Sequence, residues 1–175
     1  MTGIEGASAS PGDRVVIRAT NSVEVLELVL SYLRAGIAPA LISSSTTERE
    51  MREMTADIEA AMVIDDAALA QVVQTGEREM PGAITCRPLH FTSGTSGRPK
   101  AVWSGWWSPQ TAAEWIEDET SAWGITGDDV HVVCGPLNHS APLRFALLTL
   151  LAGGSVIVPP SFDPATVVHA IEQQG

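Results

Sequence analysis

An α/β fold, a mostly parallel sheet with helices on both faces, is the class this sequence predicts. Two observations carry the prediction. Short apolar, β-branched runs alternate with segments whose apolar residues recur at helical spacing. Each helical segment is also bracketed by capping or stop residues, so consecutive strands are joined by crossovers rather than hairpins, as a parallel sheet requires.

Arg14 to Ala19, RVVIRA, reads as a buried strand ending at Thr20 and Asn21. Asn21 with Glu24 three residues later has capping-box spacing, and Val25, Leu26, Val29, Leu30 and Leu33 then recur on one helical face until Gly36. Ile37 to Ile42 is a second apolar strand. Thr47 and Glu50 repeat the capping box for a helix to about Glu59, and Met62 to Ile64 is a third strand ending at Asp65 and Asp66. A short helical piece spans Ala67 to Gln74, and Pro88 to Phe91 is a strand that leads into a Ser/Thr/Gly-rich stretch. Ser108 and Pro109 open a further helix that Gly124 closes. Val130 to Cys134 is a strand, Ala141 to Ala152 a helix, Ser155 to Val158 a strand, and Asp163 with Pro164 starts a last helix. With no closing strand after it, the pattern is expected to be one partial domain over residues 1–175.

The balance of 45% hydrophobic and 18% charged residues is that of a globular chain. Net charge is −11 and the ten Lys and Arg residues are scattered, which argues against nucleic acid or an anionic membrane surface as partner. The N-terminus has no apolar signal core, and the most apolar stretch, Phe145 to Val158, is broken by Gly153 and Gly154. That stretch is shorter than the roughly 20 residues of a membrane helix. Cys86 and Cys134 form no metal-binding pair and suit a reducing compartment, so a cytoplasmic location is expected. His90, His131 and His169 have no metal-ligand spacing, and no metal site is expected.

Residues 92–100 read TSGTSGRPK. By composition alone this is a solvated turn, but its parts suit a polyphosphate. Gly94 and Gly97 let backbone N–H groups approach anionic oxygens, the hydroxyls of Thr92, Ser93, Thr95 and Ser96 add donors, and Lys100 supplies a cation. It is not a Walker A loop, because Pro99 and Ala101 stand where that motif has Gly and a hydroxyl residue.

In its order of residue types the loop resembles the signature of the adenylate-forming superfamily: acyl- and aryl-CoA synthetases, peptide-synthetase adenylation domains and luciferases. Two more segments fit. Leu33 to Ile42, LRAGIAPALI, resembles the upstream L-x-A-G segment, with Pro39 earlier than usual. Pro136 to Ser140, PLNHS, followed by an apolar helix and Gly153-Gly154, is similar to the P-L-[FY]-H segment of acyl-CoA synthetases, with Asn138 in place of the aromatic residue. The resemblance implies that Thr92, Ser93, Gly94, Thr95, Ser96, Gly97 and Lys100 wrap the β- and γ-phosphates of ATP while a carboxylate attacks the α-phosphorus. It further implies Mg2+ with the nucleotide and CoA as thiol acceptor, and it gives His139 a place at the acyl pocket, gating the thiol. Taken alone, His139 reads as a core histidine held by hydrogen bonds.

The family's Tyr-Gly-x-Thr-Glu segment, ribose-binding aspartate, hinge and catalytic lysine have no counterpart here, so a C-terminal lid domain is expected to be absent and the chain alone is expected not to complete adenylation. The acid's acyl chain stays open, fatty acids included. Two alternatives are an adenylation domain that loads a carrier protein and a non-catalytic interaction module that self-associates through uncovered sheet or apolar surface. Trp103, Trp106 and Trp107 read as core or partner surface, and Glu114, Glu117, Asp118 and Glu119 as a solvated helix face.

Overall fold

The computed structural model describes residues 9–73, 82–92, 99–159 and 163–174. Its first unit is a parallel three-stranded sheet of order β2-β1-β3, formed by β1 (Arg14–Ala19), β2 (Ala38–Ser43) and β3 (Met62–Asp65). In the central strand Val15, Val16 and Ile17 are fully buried, as expected of a strand covered on both faces. Between β1 and β2 runs α1 (Val23–Arg34), which buries Val25, Leu26, Leu28, Val29, Tyr32 and Leu33. Its cap is Ser22 rather than Asn21: the Ser22 hydroxyl accepts from the Val25 N–H. The expected capping box does form at α2 (Glu48–Asp57), where the Thr47 hydroxyl accepts from the Glu50 N–H and the Glu50 carboxylate accepts from the Thr47 N–H. After β3, α3 (Asp66–Val73) is capped by the Asp65 carboxylate, which accepts from Ala68 N–H.

The chain then returns along the free edge of β2. Leu89 N–H donates to Pro39 C=O at 2.9 Å and Leu89 bridges Ala40 in parallel, so the segment before β4 (His90–Thr92) extends the parallel order. Here the alternation breaks. β4 pairs antiparallel with β5 (Lys100–Val102), a strand the sequence pattern does not announce. β5 has one neighbour in the sheet, and its Ala101 N–H is taken up by the Asp57 carboxylate at 3.2 Å.

The second unit is strand, helix, strand: β6 (Val130–Val132), α5 (Ser140–Leu151) and β7 (Ser155–Ile157), with β6 and β7 parallel. Before it lies α4 (Pro109–Trp123), capped by Ser108, started by Pro109 and ended by Gly124 at φ 67°, a backbone region where glycine meets no Cβ penalty. After β7 comes α6 (Pro164–Gln174), with Asp163 accepting from Thr166 N–H. The expected single sheet is therefore divided in three, but one contiguous apolar core runs through both units, from Val15 and Leu33 to Leu143 and Leu147. Among the described residues no helix is long and apolar enough to cross a membrane.

Asn21 joins the two units. Its side-chain NH2 donates to Gly135 C=O at 2.9 Å and its carbonyl accepts from Leu137 N–H at 2.9 Å. Gly154 fixes the turn before β7, since a Cβ there would sit 2.6 Å from the Asp129 carbonyl oxygen and 2.8 Å from Thr149 Cγ2.

Two stability measurements check this account. Asn21→Ala leaves the Gly135 carbonyl and the Leu137 N–H without their partner and is expected to cost about 1–3 kcal/mol in urea unfolding, whereas Thr46→Ala at the surface shifts the midpoint little. Gly154→Ala is expected to lower stability by about 1–3 kcal/mol because backbone must shift to admit the methyl group, so an unchanged melting curve would show that the turn yields freely.

Candidate functional site

The described ends of the TSGTSGRPK segment are Thr92 and Lys100, and they face each other as the last pair of the β4–β5 hairpin. The Thr92 hydroxyl reaches the Lys100 carbonyl at 3.4 Å, and both residues are exposed. The hairpin thus closes the segment into a loop whose two ends meet, with a cation at its rim. Ser93, Gly94, Thr95, Ser96 and Gly97 lie outside the described residues. The strand expected before the loop is present, starting two residues and ending one residue later than expected, and β5 supplies the return arm that the sequence did not reveal.

Two concavities lie among the described residues, the second of them beside this frame. The first, about 220 Å3, lies where β1 and β2 end: Thr20, Asn21, Ser43 and Ser44 line it with Gly135, Pro136 and Asn138. Crevices at the carboxyl ends of parallel strands are where α/β sheets bind ligands. Its lining is uncharged, part polar and part apolar, with Ala19, Val133 and Pro159 among it. His139 follows this lining at the N-cap of α5, exposed, with no side-chain capping bond, and its N–H donates to Pro136 C=O at 3.0 Å. The core-histidine alternative fails here, because an exposed side chain is not held by the core.

The second concavity, about 350 Å3, was not anticipated. It opens between α4 and α5, walled by Arg87 and His90 from the approach to the loop, Trp115 and Trp123 from α4, and Arg144 and Phe145 from α5. Ser140, next to His139, also lines it. The Arg87 guanidinium lies 5.7 Å from the Trp115 ring centroid, and Trp123 meets Phe145 edge-on at 5.1 Å. Arg144 is ion-paired with Glu119, whose side chain is only 17% exposed. This corrects the reading of the acidic run as wholly solvated. The Arg144 hydrogen bond holds the Glu119 carboxyl below its ordinary range, with Arg87 adding a smaller attraction. Burial, and then the charge of Arg87, push the His90 imidazole below its usual value, which favours the neutral ring. The signals that mark this cavity in the sequence are an arginine inside an apolar helix and a second one just before the loop strand.

The tryptophans after the loop serve packing. Trp103 and Trp107 lie against the core, Trp107 beside Trp115 at 5.4 Å, and Trp106 is exposed but edge-on to Trp103. Cys86 is buried and its thiol is pushed up to about 11, so it stays protonated and is no nucleophile at neutral pH. No group of three His, Cys, Asp or Glu residues able to hold a metal exists among the described residues.

Comparison with known proteins places this geometry. The model of the AMP-binding enzymes matches residues 2–87 and 81–175. Feruloyl-CoA synthases of Amycolatopsis and Streptomyces species are each 29% identical over 98% of the chain, and the 2-succinylbenzoate–CoA ligase of Bacillus cytotoxicus is 20% identical over 94%. The chain spans 39% of the length of those synthases and 37% of that ligase. Among solved structures, MatB from Rhodopseudomonas palustris without ligand superposes on 94% of the chain and 38% of its own, at a TM-score of 0.75 and 25% identity. Its ATP-bound form covers the same shares at a TM-score of 0.75 and 24% identity. The o-succinylbenzoate CoA synthetase of Bacillus subtilis, solved with its acyl-adenylate, superposes at a TM-score of 0.77 on 95% of the chain and 48% of its own, at 19% identity. With its hairpin-framed TSGTSGRPK loop and α/β units, this chain belongs to the AMP-binding enzyme family and corresponds to the N-terminal portion of the adenylate-forming fold.

Proposed function

We propose that residues 1–175 form the nucleotide-phosphate half of an AMP-forming acyl-CoA ligase, a part of its AMP-binding domain. In the reaction an oxygen of the substrate carboxylate attacks the α-phosphorus of ATP, the bond to the β-phosphate breaks, and pyrophosphate leaves. The sulphur of CoA then attacks the acyl carbon and AMP departs. The observation that carries this reading is the hairpin pair that closes the nine-residue segment from Thr92 to Lys100 into a loop.

Each part has a task set by its chemistry. Loop hydroxyls and N–H groups from Thr92 through Gly97 donate to the outer phosphate oxygens, and the Lys100 ammonium offsets charge that the chain's net −11 would otherwise repel. The loop holds the leaving pyrophosphate, stabilising charge as it develops. Mg2+ binds commonly through phosphates with only one or two carboxylates. The described residues offer it no cage of their own. His139, beside the α4–α5 cavity, borders the acid and gates the thiol. CoA rather than a carrier protein is the acceptor, in keeping with relatives named as CoA synthases and ligases. Two free cysteines suit the cytoplasm.

Calorimetric titration of the chain with MgATP tests the loop: Lys100→Ala is expected to weaken binding about 10- to 100-fold, the usual loss for one charge-assisted hydrogen bond, and equal heats for both proteins would remove the loop from the site. The isolated chain is expected to show no carboxylate-dependent exchange of labelled pyrophosphate into ATP, and robust exchange would mean that it holds a complete catalytic apparatus.

A further inference from the structure

The α4–α5 cavity combines features that select a ligand. Its charged lining is Arg87 and Arg144, with no carboxylate among the residues that form the wall. Glu119, behind the wall, neutralises one of the two cations through Arg144, and Arg87 has no ion pair among the described residues. One positive charge is therefore in excess at this spot in a chain whose net charge is −11. Three aromatic side chains, Trp115, Trp123 and Phe145, supply flat apolar faces. His90 Nδ1, Trp115 Nε1 and Arg144 Nε are buried with no hydrogen-bond partner, and the indole and guanidinium groups can only donate. Donors therefore outnumber acceptors on this wall, and one positive charge there is not balanced by Glu119. Its volume of about 350 Å3 falls in the range of small-molecule sites, ~300–1,000 Å3.

Position links the cavity to the loop. His90 and Thr92 are two residues apart on β4, so their side chains leave the same face of the strand about 6.5 Å from one another. A ligand in the cavity lies one strand step from the phosphate loop.

We propose that the cavity between α4 and α5 is a binding site for an aromatic carboxylate, with the carboxylate paired to Arg87 and the ring held among Trp115, Trp123 and Phe145. The identification of that ligand as the acid to be activated rests on the ligase reading, but the binding itself does not.

The test is therefore made without nucleotide, by following quenching of tryptophan fluorescence as the 175-residue chain is titrated with benzoate, benzamide and hexanoate. Benzoate is expected to saturate at about tenfold or more lower concentration than its neutral isostere benzamide or the flexible hexanoate. Arg87→Met, which keeps the bulk and removes a cation that has no ion pair among the described residues, is expected to abolish the preference for benzoate over benzamide in a chain that still unfolds cooperatively. Should Arg87→Met not fold, Arg87→Gln, which keeps a polar side chain but removes the charge, is expected to abolish the same preference. Equal binding of benzoate and benzamide, hexanoate binding as well as benzoate, absence of saturable quenching, or an unchanged preference in the folded variants would each overturn the proposal. Because ATP is absent, these outcomes leave the phosphate-loop reading untouched, and loss of MgATP binding leaves this proposal standing.

Discussion

Within the apolar core that both units share, one amide side chain sets the alignment of the second unit against the first. Asn21 stands two residues after β1, and its two hydrogen bonds to Gly135 and Leu137 cross more than a hundred residues of chain. Each such bond adds only about 1 kcal/mol net. Its larger effect is on register, since an amide that must both donate and accept meets its partners in one alignment, and a slip of one residue would set donor against donor. The segment so fixed runs directly into Asn138, His139 and the first turn of α5, so the position of the α4–α5 cavity follows from the end of β1.

The same residue shows why some of the fold was legible and some was not. Asn21 and Ser22 are both good N-caps, and helix-local rules cannot choose between them when the deciding partner is over a hundred residues away. Where the partner is local the reading held: Thr47 with Glu50, Ser108 and Pro109 with Gly124, and Asp163 with Thr166 are all settled within one helix. β1, β2 and β3 were visible because their burial demands unbroken apolar runs. β5 was invisible because Lys100–Val102 becomes a strand through pairing with β4 and the Asp57 carboxylate, not through its own apolar pattern.

Site chemistry divides in the same way. The loop announces itself because a polyphosphate cradle needs hydroxyls, glycines and a cation in close succession, an arrangement written in adjacent residues. Glu119 looked like one acid among four on α4, and only the approach of Arg144 from α5 sets it apart. The cavity depends on residues from three elements, so no single stretch of sequence carries it.

An acidic chain that handles anions needs a cation at each place where one binds, and two of this chain's scattered cations stand near the two ends of β4. Lys100 stands opposite Thr92 at the closed end of the hairpin, while Arg87 lies three residues before β4 at its other end. Between them His90, neutral through burial and the nearby Arg87, adds no charge of its own. The arrangement separates two positive centres by one short strand, a spacing that keeps phosphate and carboxylate from competing for one cation. It also means that β4 is the common ruler of the two pockets: a shift of its register by one residue would turn His90 and Thr92 to the core side and Phe91 outward, and would dismantle both at once.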